Sequence, residues 1–514
     1  MIVVLLLFLA AEVTSQRWAA VLAGVAGLLI AYLFLDKGTF MLAGGGLIGV
    51  HLVLSLSRRR IGSAAALLGG VIAGFIGLWL LAGQSIDGIP SYFRTSFEII
   101  AGYAAAMSWF LESGAQHPAL QWGIALVMLG VTGVLLAIAA WRRDWSLFRL
   151  LLLISPVMFF LFKNAFVRFD EAHAVEFWAL VAILMSLVLA LAVGVKSDFK
   201  RGAHSALAGV TVLASVALVS GLAPLIGGVS GMQPTLPFPK NLASYGHTAA
   251  LLVRPDRRQQ EEAQVRASLQ AAYPLPPEVL ARLRQGTVDC IPLDLQMCLA
   301  YDFQWDPQPV FQSYNAWRPY LDHIDAQHYT GPAAPRFVLF AAKTIDGRYP
   351  LFDEPEAHRA LMENYRVVDH VSFVVVLERR DGTQQPQQNE AGVVTARFGE
   401  WIDVPQHGDQ RLYGRVQVAY SLLGLALNLL HRPPEVHIFF KYSGGQVSPA
   451  YRLVTANAPD GLDLSSYAPD TEGAGRLAEG QFDQPIEAIK IVTESPAEAY
   501  QQEIHLDYFT EPVN

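Results

Sequence analysis

The first 231 residues consist of long apolar runs separated by short polar segments. A helix needs about 20 mainly apolar residues to cross the hydrocarbon core of a bilayer, and most of these runs approach that length. The pattern therefore predicts a polytopic α-helical membrane domain with about eight spans. The predicted spans are 2–14, 18–35, 39–57, 63–82, 120–141, 146–162, 174–195 and 205–229.

The first predicted span is shorter than the others and starts at the initiator Met, with neither a basic leader nor a small-residue cleavage site. These features argue against a secretory signal peptide. Residues 2–14 are therefore interpreted as a stub, and further helices upstream are one explanation of it.

Basic residues between the spans predict the orientation of this domain. Lys and Arg collect in the cytoplasmic loops of membrane proteins. Basic clusters at 58–60, 142–143 and 196–201 mark three such loops. Both termini and the loops 83–119 and 163–173 are then predicted on the outer face of an inner membrane, which is the periplasmic side.

The outer loop 83–119 contains an amphipathic segment. Phe93 and Phe97 recur at helical spacing among other apolar residues, which predicts a helix lying in the membrane interface. Arg94 and Glu98 are four residues apart and share one side of that helix. Two interpretations stay open: a plain interfacial helix packed under the soluble domain, or a helix whose charged pair belongs to a site.

The pattern changes after residue 231. Residues 233–239 contain three prolines and predict an extended exit from the membrane. Strand-like runs then alternate with helix-like segments, which predicts an extracytoplasmic α/β domain over 232–380. Its main elements are predicted strands at 287–291, 337–340 and 371–377 and predicted helices at 256–272 and 355–364.

A Gln-rich hinge at 379–389 precedes the last region. Short alternating strands, punctuated by Gly, Pro, Asn and Asp, predict a C-terminal β-sandwich over 390–514. The predicted strands are 401–404, 414–420, 436–442, 450–454, 486–493 and 503–509, with an apolar turn at 421–430.

Charge and cysteine content narrow the function classes. The formal net charge is −8, and the chain lacks the concentrated basic face that nucleic acid requires, so no nucleic-acid partner is expected. Cys290 and Cys298 are the two cysteines of the chain. They form a disulfide if their compartment is oxidising, or are simply two small buried residues. No Cys/His group has zinc-ligand spacing, and neither a metal nor a cofactor is predicted.

The densest charge beside the membrane lies in the loop 163–173, which contains Lys163, Arg168, Asp170, Glu171 and His173. Ionisable groups next to the bilayer are costly and mark functional sites. Guanidinium and ammonium groups suit phosphate oxygens, so Arg168 and Lys163 are predicted to hold a lipid phosphate. Asp170 or His173 is the predicted general base. The structural alternative is that Asp170 caps the next helix while the two cations extend to the interface.

A second cluster, over 308–321, combines aromatic rings with amides. Gln312, Tyr314 and Trp317 have the composition of a surface that stacks on sugars and hydrogen-bonds them. A well-packed junction between a strand and a helix explains the same residues. The nearby turn at 344–350 is explained by its glycine, without catalysis.

Two resemblances follow from these residues. The layout of many apolar helices, a charged outer loop and an extracytoplasmic C-terminal region resembles membrane glycosyltransferases of the GT-C type, which implies a polyprenyl-phosphate sugar as substrate. Over most of its length the chain also resembles a family of uncharacterised bacterial polytopic membrane proteins, which brings no assigned activity. The motifs are I-P-S-Y at 89–92, G-Y at 102–103, A-M-S at 106–108, F-V-R-F-D-E-A-H at 166–173 and P-V-F-Q-S-Y at 309–314.

One departure from the GT-C pattern matters. Those enzymes carry a catalytic carboxylate in their first outer loop, whereas this chain has only Asp36 beside Lys37 there. Either the catalytic helices precede this sequence or the protein is of another class.

The leading expectation is an inner-membrane protein of cell-envelope glycan metabolism that transfers or handles a polyprenyl-phosphate-linked sugar at the outer face. Arg168, Asp170 and His173 form its predicted core, supported by Lys163, Arg94 and Glu98, and the 308–320 segment covers it. The expected partners are membrane lipid, the lipid-linked sugar and an envelope protein or glycan. The alternative is a non-catalytic membrane-anchored scaffold whose extracytoplasmic domain binds a partner or glycan. A transporter fits less well, because the spans carry almost no charge at mid-membrane.

Overall fold

The structure is a computed structural model, and it describes residues 2–110, 118–169, 173, 177–178, 238–382 and 387–513. The chain divides into two compact units. We call them the helical unit, Met1–Ile100 with Ser108–Pro239, and the sheet unit, Ala101–Met107 with Lys240–Asn514. The short segment Ala101–Met107 therefore belongs to the sheet unit although it lies far from the rest of that unit in sequence.

The described part of the helical unit is built from apolar helices. Its elements are α1 (Ile2–Glu12), α2 (Gln16–Asp36), α3 (Gly38–Ser57), α4 (Ile61–Leu81), α5 (Ile89–Ala106, whose end enters the sheet unit), β1 (Trp109–Phe110), α6 (Pro118–Trp141), α7 (Trp145–Val167) and β2 (Arg168–Phe169). Among the described residues, α2, α3, α4 and α7 are long and apolar enough to cross a membrane. These four helices indicate a membrane-embedded region.

The prediction of about eight spans is not supported. Helix α1 has 11 residues and rises about 17 Å, which is too short for a hydrocarbon core of about 30 Å. The apolar stretch Ala125–Trp141 of α6 is also short by the same measure. Apart from Phe177 and Trp178, the predicted spans 174–195 and 205–229 lie outside the described residues, as does most of the predicted exit at 233–239.

Helices α2 and α4 pack through glycines. A Cβ atom at Gly27 would lie 2.4 Å from the backbone oxygen of Leu67, and one at Gly70 would lie 2.4 Å from the oxygen of Gly24. Small residues at both surfaces therefore let the two backbones approach, as is typical of helices in a membrane. The same helix buries Ala23 and leaves several larger side chains, such as Val21 and Leu28, exposed.

The sheet unit contains eight helices within the part of the chain that the structure describes. They are α8 (Phe238–Val253), α9 (Pro255–Ala272), α10 (Pro277–Leu283), α11 (Gln296–Ala300), α12 (Pro319–Thr330), α13 (Pro355–Asn364), α14 (Leu422–Leu430) and α15 (Thr471–Ala478). Its strands are β3 (Thr287–Ile291), β4 (Gln304–Trp305), β5 (Phe337–Phe340), β6 (Tyr365–Val371), β7 (Val374–Arg379), β8 (Asn389–Arg397), β9 (Trp401–Asp403), β10 (Gln410–Gln417), β11 (Val436–Tyr442), β12 (Gln446–Val447), β13 (Tyr451–Arg452), β14 (Leu462–Asp463), β15 (Ile486–Thr493) and β16 (Glu503–Pro512).

The first sheet is mixed and buried on both faces. Its order is β4-β3-β5-β7-β6, with parallel pairing from β4 to β5 and antiparallel pairing from β5 to β6. All four residues of β5 are buried. Phe337 and Leu339 join the core beneath α10 and α11, while Val338 and Phe340 join a larger core on the other face. This alternation follows from the two-residue period of a strand.

The C-terminal region has two antiparallel sheets, in the orders β14-β10-β16-β8 and β12-β11-β15-β9, and β13 pairs with β11. This confirms a β-sandwich-like region. Its interior residues, such as Ile438 and Leu506, share one continuous core with Val338 and Phe340 of the mixed sheet. The predicted boundary between an α/β domain and a β-sandwich near residue 380 stays a prediction.

Two local features differ from the predicted elements. Residues 422–430 form the nine-residue helix α14, where the pattern predicts little helix apart from an apolar turn. Strand β8 and most of β6 were not predicted as strands; β6 mixes exposed and half-buried positions and lacks a clean alternation.

Candidate functional site

The predicted membrane-face site begins at the end of α7. Lys163 lies on the last turns of that helix and is half-buried. Arg168 and Phe169 leave the helix as β2 and pair in parallel with Trp109 and Phe110 of β1. This pairing fixes the backbone that carries the Arg168 guanidinium, which is itself half-buried.

Aromatic rings pack together at the end of α7 and at β2. The ring of Phe166 stacks on Phe162 at 5.1 Å and on Phe169 at 5.5 Å, and it meets the edge of Phe177 at 5.3 Å. All four side chains are buried. The cationic side chains therefore extend from a rigid apolar base and not from a flexible loop.

The rest of this predicted site is described only in part. His173 is half-buried. Asp170, the other predicted base, and Glu171 lie outside the described residues, so their predicted roles stay predictions. Asn164, one residue after Lys163, accepts a hydrogen bond from the Thr39 hydroxyl at 3.0 Å, which ties α7 to α3.

Helix α5 confirms the predicted helix in the 83–119 loop. Its aromatic side packs on α4, with the rings of Phe93 and Phe75 5.1 Å apart, and the Tyr92 hydroxyl donates to the Phe34 carbonyl at 2.6 Å. Arg94 is exposed and Glu98 half-buried on this helix. Both lie in the helical unit, as do Lys163, Arg168 and His173, whereas Gln312, Tyr314 and Trp317 lie in the sheet unit.

The aromatic segment 308–320 is a packed junction in the sheet unit. Trp317 is 2% exposed, and its ring meets that of Tyr103 at 6.2 Å. Gly102 makes room for it, since a Cβ atom there would lie 2.2 Å from Trp317 Cδ1. Gln312 and Tyr314 are half-buried, and the Tyr314 hydroxyl donates to Gln312 Oε1 at 2.8 Å. Protein thus covers the Trp317 ring, whereas Gln312 and Tyr314 keep part of their surface accessible.

Two arginines attach the segment Ala101–Met107 to the rest of the sheet unit. Arg348 donates to the carbonyl of Ala106, and Arg452 donates to that of Ala105, both at 2.7 Å. These carbonyls end α5, where the helix itself offers no donor. Cationic donors at a helix C-terminus also complement its dipole. Arg348 lies in the 344–350 turn, which sequence reasoning had assigned no role beyond turning.

Arg348 is itself paired inside the protein. Its guanidinium is 2.9 Å from Asp353 Oδ1, and both side chains are only 2% exposed. Asp353 also accepts from the Thr344 hydroxyl at 2.6 Å. Burial raises the pKa of Asp353, and the neighbouring Arg348 opposes that rise.

A network of buried acids lies beside this pair, and sequence reasoning missed it. Glu354 accepts from the side chains of Ser313 and Gln308. Asp289 Oδ2 lies 2.9 Å from the Tyr329 hydroxyl, which in turn lies 2.6 Å from Gln308 Oε1. A hydroxyl has a single proton to donate, so Tyr329 donates to Asp289 or to Gln308 but not to both.

Burial also affects the acidity of this network. Burial raises the pKa of Asp289, Asp325 and Glu354, and for Asp325 and Glu354 nearby carboxyls raise it further. The cavity beside Ser313 and Glu354 has a volume of about 10 Å³. Such a space holds about one water molecule and no substrate. The network is therefore part of the fold and not an open site.

Cys290 and Cys298 form a disulfide that joins β3 to α11. Of the two interpretations left open by the sequence, the bonded one is confirmed. Within the described ranges, no group of three or more His, Cys, Asp or Glu side chains is arranged to hold a metal ion.

The structure also describes the predicted first outer loop, where the sequence departs from the GT-C pattern. Asp36 ends α2, and Lys37 alone separates it from α3, so the predicted first outer loop is a single residue between two helices. Comparison with protein-family models, with curated proteins and with solved structures finds no match for this chain.

Proposed function

We propose that the protein belongs to the cell-envelope glycan metabolism of a bacterium and handles a polyprenyl-phosphate-linked sugar at the outer face of the inner membrane. One observation carries the proposal. Lys163 and Arg168 place two cationic groups at one end of the membrane helix α7, on the fixed aromatic base described above. Cations at the end of a membrane helix suit the phosphate of a lipid that approaches sideways from the bilayer.

The distribution of basic residues supports an outward position for this end of α7. Arg58–Arg60 precede α4 and Arg142–Arg143 precede α7, so each of these two membrane helices has a basic cluster at its N-terminal side. The positive-inside rule assigns that side to the cytoplasm. Arg168 and the 83–117 connection then face outward.

The disulfide supports the same compartment for the sheet unit. Disulfides persist in oxidising compartments such as the bacterial periplasm and are rare in the cytosol. Ala101–Met107, which belongs to the sheet unit, is also part of the 83–117 connection. Both observations favour an extracytoplasmic sheet unit.

In this proposal Arg168 and Lys163 bind the lipid phosphate, and Asp170 or His173 accepts a proton from an incoming hydroxyl. Arg94 and Glu98 contribute further polar contacts from α5. Gln312 and Tyr314 offer amide and hydroxyl groups to the sugar.

The test replaces Arg168 by Ala in the chromosomal copy of the gene and measures envelope glycan and its lipid-linked precursors by mass spectrometry. We expect loss of the glycan and accumulation of the precursor. Arg142→Ala, an exposed arginine at the opposite end of the membrane helices, is the matched control and should behave as wild type. Unchanged glycan, with Arg168→Ala present in the membrane at the wild-type amount, would overturn the proposal.

A second candidate is a non-catalytic scaffold anchored by the helices. It is favoured by the covered ring of Trp317 and by the closed acid network, since neither offers a site for chemistry in the sheet unit. A scaffold would bind envelope glycan or its protein partner equally well with and without Arg168→Ala. Titration of full-length wild-type and variant protein with purified envelope glycan separates the two functions.

A further inference from the structure

Helix α14 presents an apolar surface to the outside of the sheet unit. Its nine residues, L-L-G-L-A-L-N-L-L, include no charged side chain. Leu422 is 86% exposed, Leu425 53% and Leu430 58%. Single exposed leucines are common on proteins, but several on one short helix form a patch that marks an interaction surface.

The helix is held firmly by its other side. The Ser421 hydroxyl accepts a hydrogen bond from the Gly424 amide at 3.2 Å and donates to the Glu498 carbonyl at 2.6 Å. Gly424 lies directly against Ala499, where a Cβ atom would come within 2.0 Å of the carbonyl oxygen. Leu427 packs against the large core. The leucines are therefore displayed by a fixed helix and do not result from a loose segment.

The position of α14 within the sheet unit indicates what covers it. Glu435, which follows the helix by a short turn, has a carboxylate oxygen 4.0 Å from Arg452 Nε. Arg452 in turn donates to the carbonyl of Ala105. Ala105 lies six residues after Ile99 along the same helix α5, the earlier part of which belongs to the helical unit. Helix α14 is thus linked, through Glu435 and Arg452, to the segment by which α5 continues into the sheet unit.

We propose that α14 lies in the bilayer interface and buries its leucines among lipid acyl chains. The sheet unit would then be attached to the membrane in two ways: through α14 and through the chain that connects it to the helical unit. Interfacial helices of this kind enter the boundary between headgroups and acyl chains by about 5–10 Å. This inference rests on membrane placement alone and not on the glycan function.

The test uses the full-length protein in liposomes with a fluorophore at one introduced cysteine. Because both native cysteines form the disulfide, Leu425→Cys supplies the only free thiol. Leu425 is exposed, so its replacement should leave the fold intact. Val393→Cys is the matched control, since Val393 is 73% exposed on β8 of the sandwich. Quenching is measured with nitroxides attached to lipid acyl chains and, separately, with iodide in the water.

We expect the label at position 425 to be quenched by the lipid nitroxides at least about twofold more than the label at position 393, and to be protected from iodide. Quenching of the 425 label by iodide, as at position 393, would overturn the proposal by showing an aqueous surface. Protection from both quenchers would also overturn it, because another segment of the chain or a second copy would then cover the helix. None of these outcomes depends on whether Arg168 binds a lipid phosphate.

Discussion

The helical unit and the sheet unit distribute their large apolar side chains in opposite ways. On α2 the larger residues Val21, Val25 and Leu28 are 51%, 43% and 47% exposed, while Ala23 and Ala26 are fully buried. In the mixed sheet all four residues of β5 are buried. The difference follows from the surroundings of each unit. Large apolar side chains are stable in contact with lipid, whereas their contact with water is unfavourable.

The two units also differ in the kinds of polar side chain that they bury. Among the described residues of the helical unit they are mostly Ser, Thr, Asn and His, as where His51 bonds to Ser55 and Ser63 at 3.0 Å, and Arg60 is the buried cation. The sheet unit buries full charges of both signs, of which Arg348 and Asp353 are the closest pair. A buried ion pair is tolerated only when hydrogen bonds satisfy both partners, and this pair has them from Thr344, Tyr314 and Ala106.

The largest effect is expected from breaking that pair. Arg348→Ala leaves Asp353 buried without its cation and removes a donor to the end of α5, so we expect the sheet unit to lose about 3–5 kcal/mol of stability. Hydrogen exchange of β5 and β7 in the full-length protein measures this loss. Arg366→Ala is the control, because its ion pair with Glu378 is largely exposed and is worth at most about 1 kcal/mol. Equal effects of the two substitutions would contradict the contrast between buried and exposed charge.

A smaller effect is expected from one methyl group between α2 and α4. Gly70→Ala would place a Cβ atom 2.4 Å from the backbone oxygen of Gly24, so we expect a loss of about 1–3 kcal/mol in the helical unit. The neighbouring Gly69→Ala meets no atom within 4 Å and should be neutral or slightly stabilising. Thermal unfolding in detergent compares them. Equal unfolding temperatures for Gly70→Ala and Gly69→Ala would contradict the close approach of the α2 and α4 backbones.

A third effect concerns pH. Burial, with Glu511 beside it, raises the pKa of Glu363 from 4.5 to about 8, although Arg359 and Arg411 oppose the rise. The folded state therefore holds this proton more tightly than the unfolded state. The stability that results is complete below pH 4.5 and is lost as the pH rises to about 8.

Glu363→Gln should therefore weaken the decline in stability of the sheet unit between these pH values. Urea unfolding of the full-length protein across that range provides the measurement, and the exposed Glu503→Gln serves as control. A variant whose stability follows the wild-type pH profile would show that Glu363 is ionised throughout.

Much of the sheet unit could be predicted from local pattern. Strands 287–291, 337–340 and 486–493 and the helix 355–364 have the predicted bounds, because apolar periodicity and flanking turn residues agree there. Helix α14 could not be predicted in this way. Its leucines do not alternate with polar residues, so the pattern predicts a buried segment. In the structure several of these leucines are exposed.

The candidate sites show a different limit. The charges at 163–173 were visible because they interrupt apolar runs. The role of Arg348 was not, because its bond to Ala106 joins residues 242 positions apart. The same holds for the acid network, whose members Asp289, Asp325 and Glu354 come together only through the packing of β3, α12 and α13. A single sequence shows where the charged residues lie and how the apolar residues repeat. It does not show which residues far apart in the chain come into contact.

The central claim is that the outward end of α7 binds a lipid phosphate while the opposite membrane face does not. Native mass spectrometry of the full-length protein, titrated with polyprenyl phosphate, tests it directly. We expect Arg168→Ala, combined with Lys163→Ala, to weaken binding by about tenfold or more, since each lost charge-assisted hydrogen bond is worth about 1.5–3 kcal/mol. Arg142→Ala should bind as wild type does. Wild-type affinity in the double variant, with the protein folded, would contradict the account.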